Sequence, residues 1–406
     1  MSNLCVRCKG RGMCGGPCKI LASIKSFQPK IEKEFSGSSP PEIFIGKYNY
    51  PNVFAGILSP AEFGETEYLS LPESWHEQGA SIQDILGYRS RMIYSRFTSN
   101  IKAVKTTKGR FMDLMQEIAM ADKHVDASFE LEKKPIVRME LDGQNAMIGN
   151  PAPLKSARLE SNPHVEKKVD YLTSDGDARS VTAINELYDS GIKVSSIIKV
   201  LSAGLLGLRT GRKLVPTRWA VTATDDTISK KLLEKIKYYQ QISDILVFSA
   251  NYLGNHYNIL LIPGCWGFEV IEASSKGYFG QTENSEPIAT WQDYEFYQGK
   301  KGYADSVTGA YYVNRLGVCE YLERVKRQAS VLVMREVREE YWAPCGVGIL
   351  REVTREAMLK KPEKFNSVEE ALRACQIRFQ LPISLYKNKS VILRENKEQA
   401  KLSKWF

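Results

Sequence analysis

Histidine is scarce in this sequence, with four in 406 residues, so each one is worth noticing. The short signatures that announce common chemistries are missing too. There is no P-loop, no dinucleotide fingerprint, no H-E-x-x-H and no G-x-S-x-G, which removes the usual marks of a P-loop NTPase, a Rossmann dehydrogenase, a zincin and an α/β-hydrolase. No apolar run is long enough to span a bilayer. The best, around Val194–Leu208, is short and is broken by Lys199. The opening MSNLCVRCKGRG contains no apolar signal region. The expectation is a cytoplasmic protein with reduced cysteines, no membrane association and no disulfide framework. No internal repeat is visible, and helices and strands do not alternate strictly, which disfavours a doubly wound sheet and points to the α+β class.

What is present is ordinary in bulk. Apolar residues make up 43% and charged residues 25%, as in a globular protein able to stabilise its own core. The length suits two or three domains, or one large core with appendages. The reading adopted is mixed helices and sheet in one large core over residues 21–386. A subdomain boundary near 275–290, a knuckle at 1–20 and a basic tail at 387–406 complete it.

The charge is uneven. The formal net charge is +9. Residues 1–40 carry seven basic side chains against Glu32 and Glu34, and residues 387–406 carry six against Glu395 and Glu398. The two ends thus hold the whole excess. Basic ends favour phosphate-rich partners such as DNA. They also keep termini soluble, and charge alone does not separate the two.

Four of the eight cysteines fall in CVRCKGRGMCGGPC: Cys5, Cys8, Cys14 and Cys18. Thiolates bind Zn²⁺ tetrahedrally, and a C-x2-C turn delivers two sulfurs to one ion. The intervening glycines let so short a loop reverse without steric cost. The segment is too small for a hydrophobic core, whereas structural zinc supplies roughly 10–16 kcal/mol of apparent binding energy. An iron–sulfur cluster is the alternative, although the spacing matches no common ferredoxin run. Arg7, Lys9, Arg11 and Lys19 offset the negative thiolate site or touch phosphates.

Along the middle, residues 24–42 read as a linker, and IFIGKYNYPNVFAGILSP reads as strands and turns. Ser81–Tyr88 suggests a short helix, and Gly109–His124 an amphipathic one with Phe111, Met112, Met115, Ile118 and Ala119 on one side. Ala127–Leu141 reads as strand, residues 149–164 as loop, and Asp177–Leu208 as helix interrupted at Gly191. Arg218–Thr224 reads as a strand feeding a helix over Asp225–Gln241. Strands are expected at Ile245–Phe248, Ile259–Pro263 and Phe268–Ala273. A long helix is expected at Gly317–Tyr341 and a last one at Val368–Arg378.

Two constellations bear on chemistry. Gly204, Gly207 and Gly211 stand among Arg209, Arg212, Lys213 and Arg218, where amides and guanidinium forks suit a phosphate. The same pattern describes a glycine-capped, basic helix end. Asp225 and Asp226, at a strand-to-helix junction, suit Mg²⁺ in a nuclease or nucleotide-processing enzyme, and equally a helix N-cap. His124 with Asp126, His256, and a pocket of Tyr311, Tyr312, Arg315, Arg335 and Glu336 are further titratable candidates. None of these assembles into a mechanism, so no catalytic residue is assigned.

The chain closes on EQAKLSKWF. Gln399, Leu402, Trp405 and Phe406 fit Q-x-x-(aliphatic)-x-x-(aromatic)-(aromatic). In a helical turn Leu402, Trp405 and Phe406 share one face and form an apolar plug. This resembles the PIP box, by which replication and repair proteins bind the PCNA sliding clamp. The whole chain, with its four-cysteine knuckle and stretches such as VPTRWAVTATDDT, CWGFEVIEAS and REEYWAPCGVGILRE, resembles the archaeal Nre family of DNA repair proteins. The resemblance implies a role in DNA damage repair, zinc on Cys5, Cys8, Cys14 and Cys18, and PCNA binding through Gln399–Phe406.

Overall fold

The computed structural model describes residues 17, 18, 20, 22, 32–106, 109–136, 139, 140, 145–275 and 288–402. The protein is α+β, as expected, but its contacts divide it into two units rather than one core. The first is Pro17–Ile228 with Pro344–Gly348; the second holds Ser229–Ala343 and the chain from Ile349 onward. The division falls inside the helix Thr217–Ile236. The boundary expected near 275–290 lies mostly outside the described residues.

The first unit is built on a six-stranded sheet. Its strands are β1 (Glu34–Ser39), β2 (Ile43–Ile45), β3 (Asn52–Ser59), β4 (Ile93–Asn100), β5 (Val125–Leu131) and, after the short pair β6 (Met139–Glu140) and β7 (Ile148–Gly149), β8 (Pro151–Leu159). The order is β1-β5-β8-β4-β3-β2. All neighbours are antiparallel except β4 and β8. Strand β5 alternates buried and half-buried positions along VDASFEL, the period of a sheet with one face packed. Phe35 of β1 and Phe129 of β5 are direct cross-strand partners and stack at 4.8 Å.

Helices pack against this sheet. Arg110–Met120 buries Met112, Leu114, Met115, Ile118 and Ala119, close to the stripe expected from sequence. Ser81 and Asp84 form a capping box on the helix Ile82–Ser90. The interruption near Gly191 also holds, between helices Ser180–Asp189 and Val194–Ser202. Gly204 follows the second of these at φ +73°, and a Cβ there would meet the Lys213 carbonyl oxygen at 2.8 Å, so only glycine closes this turn. Lys199 is buried on that helix. Its Nζ lies 3.3 Å from Glu42, which also pairs with the buried Arg89 at 3.2 Å. One carboxylate thereby keeps two buried cations partnered.

The second unit has its own sheet. The strands are β9 (Ile245–Tyr252), β10 (Asn255–Ile262), β11 (Gly267–Ser275), β12 (Ile288–Glu295), β13 (Ser330–Val337) and β14 (Glu363–Phe365). The order is β12-β11-β13-β10-β9-β14, with β11 and β13 parallel. A core of Val247, Leu260, Ile271, Leu332, Met334, Leu372 and Phe379 packs helix Val368–Arg378 onto it.

Four expectations are corrected. Residues 34–39 are strand, not linker, because Phe35 and the small residues after it pair along β5. Residues 151–159 are strand despite Pro151 and Pro153. RWAVTAT is not a strand: Thr217–Ile236 is one continuous helix. The long helix expected over Gly317–Tyr341 is instead helix Gly309–Val325, ended by Lys326 in the left-handed region, followed by β13. The apolar, β-branched run SVLVM outweighs the charges that follow it.

Candidate nucleic-acid and clamp-binding sites

The C-terminal segment is rooted in the second unit. Tyr386, on helix Ile383–Lys389, is fully buried and donates to the Arg335 carbonyl at 3.1 Å. The chain then starts helix Val391–Leu402 directly over β11. Glu269, wholly buried in β11, adds to the local cap, in which the Ser390 hydroxyl accepts from the Leu393 amide at 3.1 Å. Its carboxylate accepts from the Ser390 hydroxyl at 2.5 Å and from the amides of Val391 at 3.0 Å and Ile392 at 3.1 Å. A helix N-terminus leaves such amides without partners, and its dipole favours negative charge. Val391, Ile392 and Leu393 are buried, and exposure returns at Arg394. The helix therefore carries its backbone out from a fixed root to Gln399 and Leu402. Trp405 and Phe406 lie outside the described residues. So do Cys5, Cys8 and Cys14, while Cys18 is half-buried and its carbonyl accepts from the Ala22 amide at 2.9 Å. Among the described residues no group of three His, Cys, Asp or Glu is placed to hold a metal ion.

The basic segment at 209–218 does not act as one site. Arg212 is a structural clamp. It donates to the carbonyls of Gly207 at 2.9 Å, Thr173 at 2.6 Å and Asp175 at 2.6 Å, closing the end of helix Lys167–Ser174. Burial, with Arg209 adding repulsion, lowers its pKa. Arg209 and Lys213 are exposed. Arg218 lines a cavity.

The Asp pair is also taken apart. Asp225 and Asp226 sit in the middle of helix Thr217–Ile236, not at its start. Neighbouring helical residues are turned about 100° apart. Asp225 is accordingly buried while Asp226 is half-exposed. The strand-end geometry expected for a paired Mg²⁺ site is absent.

The remaining titratable candidates fall into structural networks. His124 lies 2.8 Å from Glu67 through Nδ1, and its amide donates to the same oxygen at 2.8 Å. Burial raises the Glu67 pKa, but these bonds outweigh it and the net shift is downward. Asp126 accepts from Ser38 at 2.6 Å rather than from His124. Tyr311, Tyr312 and Arg315 do assemble: the Arg315 guanidinium lies over both rings and pairs with Glu295 at 2.8 Å. Burial drives the Tyr311 pKa far up. A cavity of about 390 Å³ opens above this pair and is rimmed by Lys237, Lys300 and Tyr297. Arg335 and Glu336 belong elsewhere: on β13 they pair with Glu272 and Arg338, each at 2.5 Å.

The cavity that Arg218 reaches went unnoticed in the sequence. It has a volume of about 280 Å³ and lies in the first unit, on the sheet face formed by β2, β3 and β4. Register explains its floor. Phe44 faces Gly56 across β2 and β3, and Gly56 faces Arg96 across β3 and β4. Phe54, Tyr94 and Arg96 then follow at intervals of two, on the same face as Phe44. Gly56 contributes no side chain, and a Cβ there would meet the Ser95 oxygen at 2.2 Å. Tyr94 donates to the Phe44 carbonyl at 3.1 Å and meets the Phe44 ring edge-on at 5.5 Å. The Arg96 guanidinium lies 4.1 Å from the Phe54 ring centre. A bond from the Ile45 amide to Thr217 Oγ1, at 3.0 Å, fixes the start of the helix that carries Arg218. The signal was in IFIGKYNYPNVFAG, where aromatics recur at even spacing.

Comparison with known proteins agrees with the sequence resemblance. Residues 13–279 match the family model for archaeal Nre, N-terminal, and residues 295–405 that for archaeal Nre, C-terminal. The DNA repair protein NreB of Archaeoglobus fulgidus is 34% identical over 397 residues, 97% of this chain and 98% of its own length. The DNA repair protein NreA of Haloferax volcanii is 34% identical over 374 residues, covering 90% of this chain and 89% of its own. NreA of Archaeoglobus fulgidus is 33% identical over 378 residues, 92% and 93% of the two chains. No solved structure matches.

Proposed function

The chain belongs to the archaeal Nre family of DNA repair proteins, and from that premise we propose that it is a repair factor recruited to DNA by the PCNA sliding clamp. The observation that carries the reading is the closing octapeptide, Gln399 to Phe406. Its first four residues, Gln399 to Leu402, close a helix whose first turn is locked to the fold by Glu269. A docking peptide on a rooted helix projects from the body, and the clamp holds the body near DNA.

Magnitudes suit a reversible contact. Burying Leu402, Trp405 and Phe406 contributes roughly 1.5–3 kcal/mol each. Ordering the peptide costs about 1–2 kcal/mol per residue. A pre-formed helical root reduces the number of residues still to be ordered. Backbone bonds and the basic flank supply the surplus, for an affinity on the order of micromolar.

In this reading Cys5, Cys8, Cys14 and Cys18 hold one structural Zn²⁺, which ties down a segment too short to fold alone. The basic ends bring the protein to phosphates. The test is truncation after Glu398: binding to the clamp is lost and the thermal midpoint stays. A truncated protein that unfolds instead would return these residues to the core.

A further inference from the structure

We propose that the cavity on the β2-β3-β4 face holds an unstacked base of single-stranded DNA. This deepens the repair reading and rests on it for the choice of DNA.

The lining combines two features that a base and its phosphates require together. The floor is aromatic, from Phe44, Phe54 and Tyr94, and the charges at the walls are Lys47, Arg96 and Arg218. Among the described residues no acidic side chain lines it. A purely apolar ligand would not engage the cations, and a simple anion would not engage the rings. A nucleotide uses both: the base stacks on a ring or a guanidinium plane, and the phosphate meets the cations. The Arg96 guanidinium already lies over the Phe54 ring, 4.1 Å from its centre. At about 280 Å³ the cavity is at the small end of ligand pockets, suited to one base rather than a duplex edge.

The surroundings extend the same chemistry. Tyr48 at the rim is 63% exposed, with Lys47 Nζ 5.3 Å from its ring centre. Next along the loop, Tyr50 pairs with Trp219 at 5.2 Å, and both are 45% exposed. Large rings in water cost solvation, and three beside a basic cavity form a platform on which successive bases stack. A duplex keeps its bases inside, so the surface selects a strand that is already open or a base that has left the stack.

The experiment uses the full-length protein without the clamp. A fluorescently labelled oligothymidylate and a blunt duplex of equal length are titrated at fixed salt. The same strand carrying one 2-aminopurine reports on the environment of a base. The single strand is expected to bind more tightly than the duplex and to change the 2-aminopurine emission. Arg96→Gln, Tyr48→Ala and Trp219→Ala are expected to weaken it by about tenfold each and to abolish the emission change. Tyr48 and Trp219 are exposed, so their variants keep the wild-type thermal midpoint. Equal affinity for duplex and single strand, or variants that bind and respond like wild type, overturns the assignment. Clamp binding through the tail is measured separately and can succeed while this fails.

Discussion

Glu269 and Ser390, far apart in sequence, meet at 2.5 Å inside the second unit. The same carboxylate receives the first amides of the last described helix. A buried acid in the apolar strand GFEVIEAS thus shares with Ser390 the capping of the helix Val391–Leu402. Glu269→Ala leaves those buried donors without a partner and is expected to lower stability by about 1–3 kcal/mol. The reading is a reduced denaturation midpoint, together with faster hydrogen exchange at Val391 and Ile392. An unchanged midpoint with unchanged exchange would show that the helix is held by packing alone.

Arg212 reads as a phosphate ligand in sequence and acts as a clamp on three carbonyls in the fold. Arg212→Ala is expected to cost about 1.5–3 kcal/mol of stability, the range for hydrogen bonds to charged groups. DNA affinity at fixed salt should stay close to wild type. A variant of normal stability but weakened DNA binding would restore the phosphate role.

Much of the architecture was legible because periodicity was strong. The stripe of Arg110–Met120 and the runs of β9, β10 and β11 follow the apolar spacing directly. The misreadings share a cause. Helix Thr217–Ile236 begins with Trp219, Val221 and Thr222, which carry strand propensity, yet Thr217 is tied to β2 and the helix is fixed by tertiary contact. In β13, Arg335 and Glu336 look like a solvated helix face, but both are buried and paired, with Glu272 and the half-buried Arg338 respectively. Glu269 and the β2-β3-β4 cavity escaped for a different reason. Both arise from pairing across segments that no local pattern announces.

Zinc is expected at one ion per chain, measured by elemental analysis of protein purified without chelator. Cys8→Ser should lose it, and the main thermal transition should stay within a few degrees of wild type, since the described strands begin only at Glu34. Metal-free wild-type protein, or iron in place of zinc, would refute the assignment.

His256, on β10, is held below its ordinary pKa of 6.5 chiefly by burial, with Arg338 adding to the effect and Glu336 and Glu340 opposing it. A histidine depressed in the folded state takes up its proton more readily when unfolded. Its contribution is therefore intact above the unfolded pKa and is lost as pH falls below it. Stability should decline from pH 7 toward pH 5, and His256→Gln should flatten that decline. A parallel decline in wild type and variant would assign it to other groups.

The account turns on the tail as a clamp ligand. The most direct measurement is calorimetric titration of the full-length protein, and of Trp405→Ala/Phe406→Ala, against the archaeal sliding clamp. Saturable binding on the order of micromolar, lost in the double variant with the thermal midpoint unchanged, is the predicted result. No binding by the wild-type protein, or equal binding by both, would contradict it.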